Sequence, residues 1–300
     1  MAVPETIADR RKKDYTYFLQ SMYVRRRLIM ITVELDHFSL DKICDSGQCF
    51  RMKKLGEGRY SLIAGDQYLE MRQDKGVVDF YCSQEEFVCY WVGYFDLDTD
   101  YEEYINAVNP RDKYLNTAVQ KGDGIRILRQ DLWEMIVTFL ISQQNNIRRI
   151  RKCIETLCVR YGEKKVTPEG VEYYSFPSPE GLSAATEEEL RACGLGYRAR
   201  YIAATSAMVA SGEISLDKLR DMTYKRAKKE LMKLCGVGEK VAECICLFAL
   251  HHMDAFPIDT HIRQVMDIHY KRGFPNRRYR GMRGIMQQYI FYYDLEVGHH

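Results

Sequence analysis

Lys240 follows the glycine turn Gly236-Val237-Gly238 and begins a segment whose apolar residues recur at helical spacing. The stretch LCGVGEKVAECICLFAL therefore predicts two helices joined by a tight hairpin, with Lys240 on the first turn of the second helix. A lysine is unfavourable there because the positive end of the helix dipole repels it. That end, partial burial and nearby basic groups disfavour its ammonium form and leave more free amine. A free amine is a nucleophile for an electrophilic carbon, whereas a surface lysine extending past the hairpin is the plainer interpretation.

The two glycines of the hairpin carry a second kind of chemistry. Gly236 and Gly238 permit positive φ and leave the backbone N–H groups unobstructed. Amides at a helix N-terminus bind anions, and a DNA phosphate fits such a site. An ordinary turn between two helices is the alternative interpretation of the same glycines.

A carboxylate follows about one helix downstream, in AFPIDTHI. Pro257 ends one element, and Asp259 begins the next as an N-cap residue would. Asp259 could also stabilise a developing cation at a sugar C1′ or transfer a proton, if the fold brings it near Lys240. His261 falls in the first turn of the same helix, where its ring could contact a phosphate or serve a structural purpose.

Composition sets the class of protein in which these residues act. The 300 residues carry 44 basic and 42 acidic side chains, a net charge of only +2, with 46% hydrophobic residues. The basic residues are clustered, which favours a one-sided basic surface over scattered solvated charges. The clusters are Arg10–Lys13, Arg25–Arg27, Arg148–Lys152 and Lys271–Arg283. No apolar run reaches membrane-spanning length, the N-terminus lacks a signal-peptide core, and we expect a cytoplasmic protein without membrane contact.

The ten cysteines show no CxxC pair and no zinc-like spacing with histidine. In a cytosolic chain most of them should be free, buried thiols. No metal site is expected. The absence of any cysteine after Cys246 also disfavours a four-cysteine iron–sulfur loop.

The pattern along the chain predicts an α+β protein, with an antiparallel β-sheet domain followed by an all-helical domain. Five short β-rich runs, ITVEL, QCFRMKK, RYSLIAG, QYLEMRQ and VVDFYC, alternate with turn signals and predict an antiparallel meander. We place a basic N-terminal extension at 1–30, the sheet domain with flanking helices at 31–122 and the helical domain at 123–296. Asp131 and Glu134 mark the start of a helix over 132–142. Further helices are predicted at 146–161, 186–193, 198–211, 216–221, 224–234, 239–251, 259–270 and 281–296.

The hairpin and FPIDTH together resemble the helix-hairpin-helix–Gly/Pro–Asp superfamily of DNA glycosylases. Within it, the chain is similar to 8-oxoguanine DNA glycosylases of the lyase type. SGQCFRM (46–52) resembles that family's Gly-Gln-x-Phe-Arg strand, SQQNNIRRI (142–150) its Asn-rich segment, and GLGYRARY (194–201) a further family segment. The resemblance covers roughly residues 33–296.

This resemblance implies roles for individual residues. Lys240 corresponds to the Schiff-base nucleophile and Asp259 to the catalytic carboxylate. Gly47 corresponds to the glycine whose carbonyl accepts the N7–H of the oxidised base, a donor that guanine lacks. Cys244 and Phe291 correspond to the walls that hold the flipped base, and Gln287 to the amide that reads its Watson–Crick edge. Without the resemblance, Cys244 and Phe291 would be interpreted as ordinary helix core.

The resemblance also implies which residues contact the DNA strand opposite the lesion. The base must be extruded, and the vacated stack needs a filler. Tyr197 corresponds to the inserted wedge, and Arg198 and Arg149 to the readers of the orphaned cytosine; a solvated basic face is the alternative. Gln144 departs from the family, since animal members have Asn there, and Cys235 stands where Pro is frequent.

The sequence thus predicts a bifunctional 8-oxoguanine DNA glycosylase and AP lyase that acts preferably opposite cytosine. We expect no cofactor, double-stranded DNA containing oxidised guanine as partner, a monomer, and a location with chromosomal DNA, nuclear if the source is eukaryotic. The alternatives are a monofunctional alkyl-base or adenine glycosylase, which Lys240 disfavours, an endonuclease III-like enzyme, and a non-enzymatic helix-hairpin-helix DNA-binding module.

Overall fold

The computed structural model describes residues 30–297. It confirms the predicted α+β class, because a five-stranded antiparallel sheet is followed by a helical region. The predicted extension at 1–30 and the basic clusters within it lie outside the described residues, apart from Met30, which begins the first strand.

The strands of the sheet are β1 (Met30–Glu34), β2 (Met52–Gly56), β3 (Arg59–Ala64), β4 (Gln67–Asp74) and β5 (Val77–Tyr81). Their order in the sheet is β1-β5-β4-β3-β2. Strands β2 to β5 form the predicted meander, but β1 pairs with β5 rather than with β2. The pairing places Ile31 opposite Phe80 and Val33 opposite Val78, so the buried face of β1 extends the apolar face of β5.

The segment 47–51 is a loop, although QCFRMKK was predicted as one strand. Gly47 has φ +72°, outside the extended region, and β2 begins only at Met52. The amide of Gln48 is fully buried and donates to the carbonyl of Arg126 at 2.8 Å, while Leu128 N donates to Gln48 Oε1 at 2.9 Å. This loop is therefore held against the start of the helical region instead of pairing in the sheet.

After residue 131 the helices of residues 30–297 lie close to the predicted ranges, apart from Pro179–Ser183, which was not predicted as a helix. They are α1 (Leu40–Asp45), α2 (Gln84–Glu86), α3 (Val92–Tyr94), α4 (Tyr101–Asn106), α5 (Lys113–Gly122), α6 (Leu132–Ser142), α7 (Ile147–Tyr161), α8 (Pro179–Ser183), α9 (Glu187–Leu190), α10 (Ala199–Ala210), α11 (Leu216–Arg220), α12 (Tyr224–Leu231), α13 (Glu239–Phe248), α14 (Thr260–His269) and α15 (Arg283–Val297). A small hairpin of β6 (Lys164–Val166) and β7 (Glu172–Tyr174), which was not predicted, follows α7. None of the described helices is long and apolar enough to cross a membrane.

Buried apolar side chains form two clusters, one under the sheet and one among the helices. The sheet cluster also contains Leu128, and the helical cluster contains Phe50 and Tyr101. The domain boundary between residues 122 and 123 therefore stays a prediction. All ten cysteines are free thiols and eight of them are buried, as predicted.

A buried carboxylate, Asp96, joins the two regions. Its Oδ1 accepts from Arg129 Nη2 at 2.8 Å, and its Oδ2 accepts from Tyr101 Oη at 3.0 Å and lies 3.3 Å from His251 Nε2. Burial alone would raise the pKa of Asp96, but the His251 imidazole and the Arg129 guanidinium outweigh it and hold that pKa well below its usual range. Since His251 follows α13, Asp96 anchors the far end of the helix that begins with Glu239 and Lys240.

Asp96→Asn should lower the free energy of unfolding at neutral pH by about 2 kcal/mol, because it removes the buried charge that accepts hydrogen bonds from Arg129 and Tyr101. The pKa of Asp96 is lower in the folded protein than the value of about 3.9 in an unfolded chain. Its stabilising contribution is therefore present above about pH 4 and is lost as the pH falls through the folded pKa. Urea unfolding of both proteins at pH 7, 5 and 3 should show a difference that shrinks at pH 3. A difference independent of pH would contradict this account.

Candidate active site and nucleic-acid interface

The predicted helix-hairpin-helix is formed by α12, the turn 232–238 and α13. Gly236 has φ +80°, and a Cβ at this position would lie 2.4 Å from the ring of Tyr201. Glycine is therefore required there by both backbone conformation and packing. Gly238 is the N-cap of α13, is exposed, and has open space where a Cβ would point. The amides at the start of α13 thus face outward at the positive end of a helix, which suits an anion such as a phosphate.

Lys240 lies on the first turn of α13, as predicted, and is half-buried. Its ammonium lies 5.6 Å from the centre of the Phe139 ring, and Phe139 stacks in turn on Phe248. Within residues 30–297, no carboxylate lies within salt-bridge distance of Lys240 Nζ. The Lys240 amine therefore lies between the Phe139 ring and the thiol of Cys244, to which it is hydrogen-bonded, with no carboxylate paired to it.

Cys244 lies one turn after Lys240 on α13, and both Lys240 and Asp259 affect the pKa of its thiol. Burial raises the pKa of the Cys244 thiol, the Lys240 ammonium opposes that rise, and the Asp259 carboxylate adds to it. The thiol can be influenced by both groups only because both lie close to it. Lys240 is hydrogen-bonded to this thiol, and Asp259 is near enough to act on it through its charge.

Asp259 is the N-cap of α14, and its Oδ1 accepts from Ile262 N at 2.8 Å. Among the described residues its second carboxylate oxygen accepts no hydrogen bond. The two interpretations of Asp259 are thus compatible, since one oxygen caps the helix and the other is available for chemistry.

Gly47 and Phe291, which are far apart in sequence, are in direct contact. A Cβ on Gly47 would lie 2.9 Å from Phe291 Cε1. The loop that contains Gly47 is held in place from α15 by Gln288, whose amide donates to the carbonyl of Ser46. This contact brings the backbone of Gly47 next to the Phe291 ring, and the base pocket that these residues were expected to form stays a prediction.

Gln287 adds an unsatisfied polar atom to that region. Its side chain is only 4% exposed, and its buried Oε1 has no hydrogen-bond partner among the described residues. A buried unpaired amide oxygen destabilises a protein by about 1–3 kcal/mol, so Gln287 Oε1 is available to accept a hydrogen bond from a water or a ligand.

His261 connects the two parts of the site. Its Nδ1 lies 2.9 Å from Oδ2 of the buried Asp294, and its ring meets Phe291 edge-on with centroids 5.9 Å apart. The first turn of α14 is therefore fixed to α15. The predicted phosphate contact of His261 stays a prediction.

The residues predicted to contact the strand opposite the lesion lie together at the connection between α6 and α7. Gln144 is exposed with φ +47°, and Tyr197 is 38% exposed with the Arg198 guanidinium 4.6 Å from its ring centre. Arg149 is exposed and donates to the carbonyl of Gly194 at 3.2 Å. The half-exposed ring of Tyr197 thus packs against the Arg198 guanidinium, and its role as the inserted wedge stays a prediction.

Arg198 itself is only 3% exposed. Its guanidinium donates to the carbonyls of Gln143 and Gln144, the latter at 2.9 Å. A role as a base reader would require these donors to leave the backbone, so that role stays a prediction. What the structure shows is that Arg198 holds the strained turn at Gln144.

Sequence reasoning missed several residues of the site. Phe139, Tyr201 and Asp294 contact Lys240, Gly236 and His261, and nothing in their spacing signals these contacts. Glu243 did carry a signal, as an acidic residue inside the apolar run of α13. No group of three His, Cys, Asp or Glu side chains within residues 30–297 is arranged as a metal site.

Comparison with protein families agrees with this geometry. Residues 30–136 match the family model described as the N-terminal domain of 8-oxoguanine DNA glycosylase. Residues 137–278 match the model described as HhH-GPD superfamily base excision DNA repair protein. Together the two matches cover the sheet and the helices that carry Lys240 and Asp259.

Curated relatives include the N-glycosylase/DNA lyase of Saccharomyces cerevisiae, which is 32% identical over 267 residues, 80% of this chain and 70% of the yeast protein. The Arabidopsis thaliana N-glycosylase/DNA lyase is 34% identical over 233 residues, 73% of this chain and 63% of the plant protein. Among solved structures, the chain is similar to Clostridium acetobutylicum 8-oxoguanine glycosylase/lyase in complex with double-stranded DNA containing cytosine opposite 8-oxoG. That match has a TM-score of 0.86 and 34% identity, and covers 93% of this chain and 98% of the bacterial one.

Proposed function

The chain belongs to the 8-oxoguanine DNA glycosylase/DNA lyase family, and from this membership we propose that it excises 8-oxoguanine from duplex DNA and then nicks the strand as an AP lyase. The observation that carries the proposal is Lys240 itself. It is a half-buried amine without a carboxylate partner among residues 30–297, on the first turn of α13, beside the same thiol as Asp259. Neither a monofunctional glycosylase nor a plain DNA-binding module needs such an amine.

Lys240 acts as the nucleophile in this proposal. Its Nζ forms a bond to the sugar C1′ while the C1′–N9 bond breaks, and the base leaves with the electron pair and takes up a proton. The free oxygen of Asp259 stabilises the positive charge that develops on the sugar. Opening of the sugar ring with loss of the Nζ proton gives an imine, and removal of a C2′ proton then expels the 3′ phosphate.

The base pocket follows from the contacts around α15. The carbonyl of Gly47 accepts the N7–H that 8-oxoguanine has and guanine lacks, while the ring of Phe291 and the thiol of Cys244 enclose the base. Gln287 Oε1, which is buried without a partner, accepts from the donors of the Watson–Crick edge. Guanine would set two acceptors against each other at Gly47, which leaves polar groups unpaired and disfavours it by about 1–3 kcal/mol.

Duplex DNA is the partner we propose, with the orphaned cytosine on the other strand. Tyr197 fills the vacated stack, and Arg149 and Gln144 face the cytosine. Arg198 joins them as a reader of the cytosine when DNA binding releases its guanidinium from the carbonyls of Gln143 and Gln144. The amides at Gly236 and Gly238, with His261, hold the phosphates of the damaged strand.

We propose that the protein acts as a monomer, and that residues 31–122 and 123–296 are its two domains. It works where chromosomal DNA is, in the cytoplasm of a prokaryote or the nucleus of a eukaryote.

The function is tested by single-turnover base release from matched duplexes that carry 8-oxoguanine opposite cytosine or adenine, undamaged guanine, or 3-methyladenine. The proposal expects fastest release of 8-oxoguanine opposite cytosine and none of guanine. Release of 3-methyladenine alone would assign the chain to the alkyl-base class, and binding without release of any base would leave only a DNA-binding module.

Gln287→Ala should slow release of 8-oxoguanine by about 10- to 100-fold, since the donors of the base lose their acceptor in a dry pocket. Strand cleavage at a preformed abasic site should stay at the wild-type rate, because no base is read there. The measurement is the rate of base release and the rate of strand cleavage for this variant and the wild type, on duplexes that differ only at the lesion. Equal losses in both reactions would show that Gln287 supports the fold and does not read the base.

A further inference from the structure

Glu243 is a buried carboxylate that the reaction described above does not use. It lies three residues after Lys240 on α13, is 6% exposed, and is surrounded along the helix by apolar residues. A buried charge is strongly destabilising unless it is paired and hydrogen-bonded. A buried Glu243 on the helix that carries Lys240 must therefore be paired with other groups.

One oxygen of Glu243 binds the first helix of the hairpin. Oε1 accepts from Tyr224 Oη at 2.6 Å and lies 2.6 Å from Lys228 Nζ. Lys228 also pairs with Glu239 at 2.7 Å. These bonds fix the angle between α12 and α13, and so the shape of the glycine turn between them.

The other oxygen binds a different part of the chain. Oε2 accepts from Phe256 N at 2.8 Å. Phe256 lies in the connection from α13 to α14, three residues before Asp259, and its ring packs against Phe274 with centroids 4.7 Å apart. The intervening Pro257 is buried, with a restricted backbone, so little freedom separates the bonded amide from Asp259.

We propose that Glu243 is a positioning residue, which sets the separation between the Lys240 amine and the Asp259 carboxylate. The inference rests on the proposed function. Lys240 and Glu243 share one rigid helix, and Glu243 holds the backbone from which Asp259 projects. One side chain thus connects the nucleophile, the carboxylate and the DNA-binding hairpin, three elements that the reaction needs in fixed register.

Glu243→Ala should slow 8-oxoguanine release at saturating enzyme by about 100-fold, the usual effect of displacing a catalytic group by about 1 Å. Duplex affinity should fall much less than the release rate, which puts most of the loss in the rate and not in binding. Borohydride trapping at a preformed abasic site, which needs Lys240 but no breakage of the base–sugar bond, should fall much less. Glu243→Gln keeps an acceptor for Phe256 N and should restore most of the release rate.

Tyr224→Phe is the matched control, because it removes a bond to the same carboxylate on the α12 side and leaves the Phe256 bond intact. Its release rate should stay within about threefold of the wild-type rate, even where its unfolding midpoint falls. If the release rates of Glu243→Ala and Tyr224→Phe fall only in proportion to lost stability, Glu243 supports the fold and the proposal is wrong.

Should Glu243→Ala not fold, Glu243→Asp provides the test, since its carboxylate is one methylene too short to reach both partners. Glu243→Asp should then release 8-oxoguanine slowly, and Glu243→Gln should release it at nearly the wild-type rate. The opposite order would overturn the proposal. If the wild-type protein releases no 8-oxoguanine, the proposed function is wrong. If the wild type and all Glu243 variants are active, the function stands and only the proposed role of Glu243 is wrong.

Discussion

Lys240→Gln should lower the single-turnover rate of 8-oxoguanine release by about 10³-fold or more, because it removes the attacking atom itself. Glutamine keeps the first two methylenes of the lysine side chain and a polar end near Phe139, so the fold should persist. Affinity for the duplex should be largely retained, since the amides of the hairpin and the basic surface are unchanged. Release rates by denaturing chromatography and affinities by fluorescence anisotropy measure the two quantities.

Lys233→Gln is the matched control for this prediction. Lys233 lies in the same hairpin, is exposed and pairs with Glu230 at 2.7 Å, away from the proposed chemistry. Its release rate should match the wild-type rate. If Lys240→Gln still released the base at the wild-type rate, Lys240 would be a structural lysine and another group would be the nucleophile.

Asp259→Asn should slow base release by about 10²- to 10³-fold while leaving the free energy of unfolding nearly unchanged. The reason is that asparagine caps helices as well as aspartate does, so Ile262 N keeps its acceptor while the charge is lost. Asp259→Ala should lose both the rate and about 1 kcal/mol of stability. Release rates and urea unfolding of the two variants separate the roles of the two carboxylate oxygens.

An Asp259→Asn protein that releases the base at the wild-type rate would show that Asp259 serves only as a cap. The lysine chemistry would then need another group to stabilise the sugar cation.

The local parts of the site could be predicted from the sequence because they depend on short-range rules. The glycines of the hairpin, the helical spacing after Lys240 and the N-cap at Asp259 each involve residues within one or two turns of each other. The positive φ of Gly236 is such a case, although the Tyr201 ring that also requires glycine there could not be foreseen.

The parts that sequence reasoning missed depend on contacts between distant segments. Gly47 meets Phe291, Gln48 bonds to Arg126 and Leu128, and β1 pairs with β5, none of which follows from local periodicity. The segment 47–51 has strand-like composition, but its buried amide bonds outside the sheet and overrides that preference. Tertiary hydrogen bonds of this kind have no signature in residue spacing.

Arg198 shows the same limit for function. The family resemblance implies that Arg198 reads the cytosine, whereas in the structure its guanidinium is buried against the carbonyls of Gln143 and Gln144. Spacing places a side chain on a segment, whereas its direction is decided by the acceptors that the fold offers.

The central claim is that Lys240 forms a Schiff base with DNA from which it has removed 8-oxoguanine. The measurement that tests it most directly is borohydride trapping of the wild-type protein on a duplex with one 8-oxoguanine opposite cytosine, followed by mass spectrometry of the adduct. The account predicts a covalent adduct at Lys240, and none on the same duplex with undamaged guanine. Base release without any adduct, or an adduct at another lysine, would contradict it.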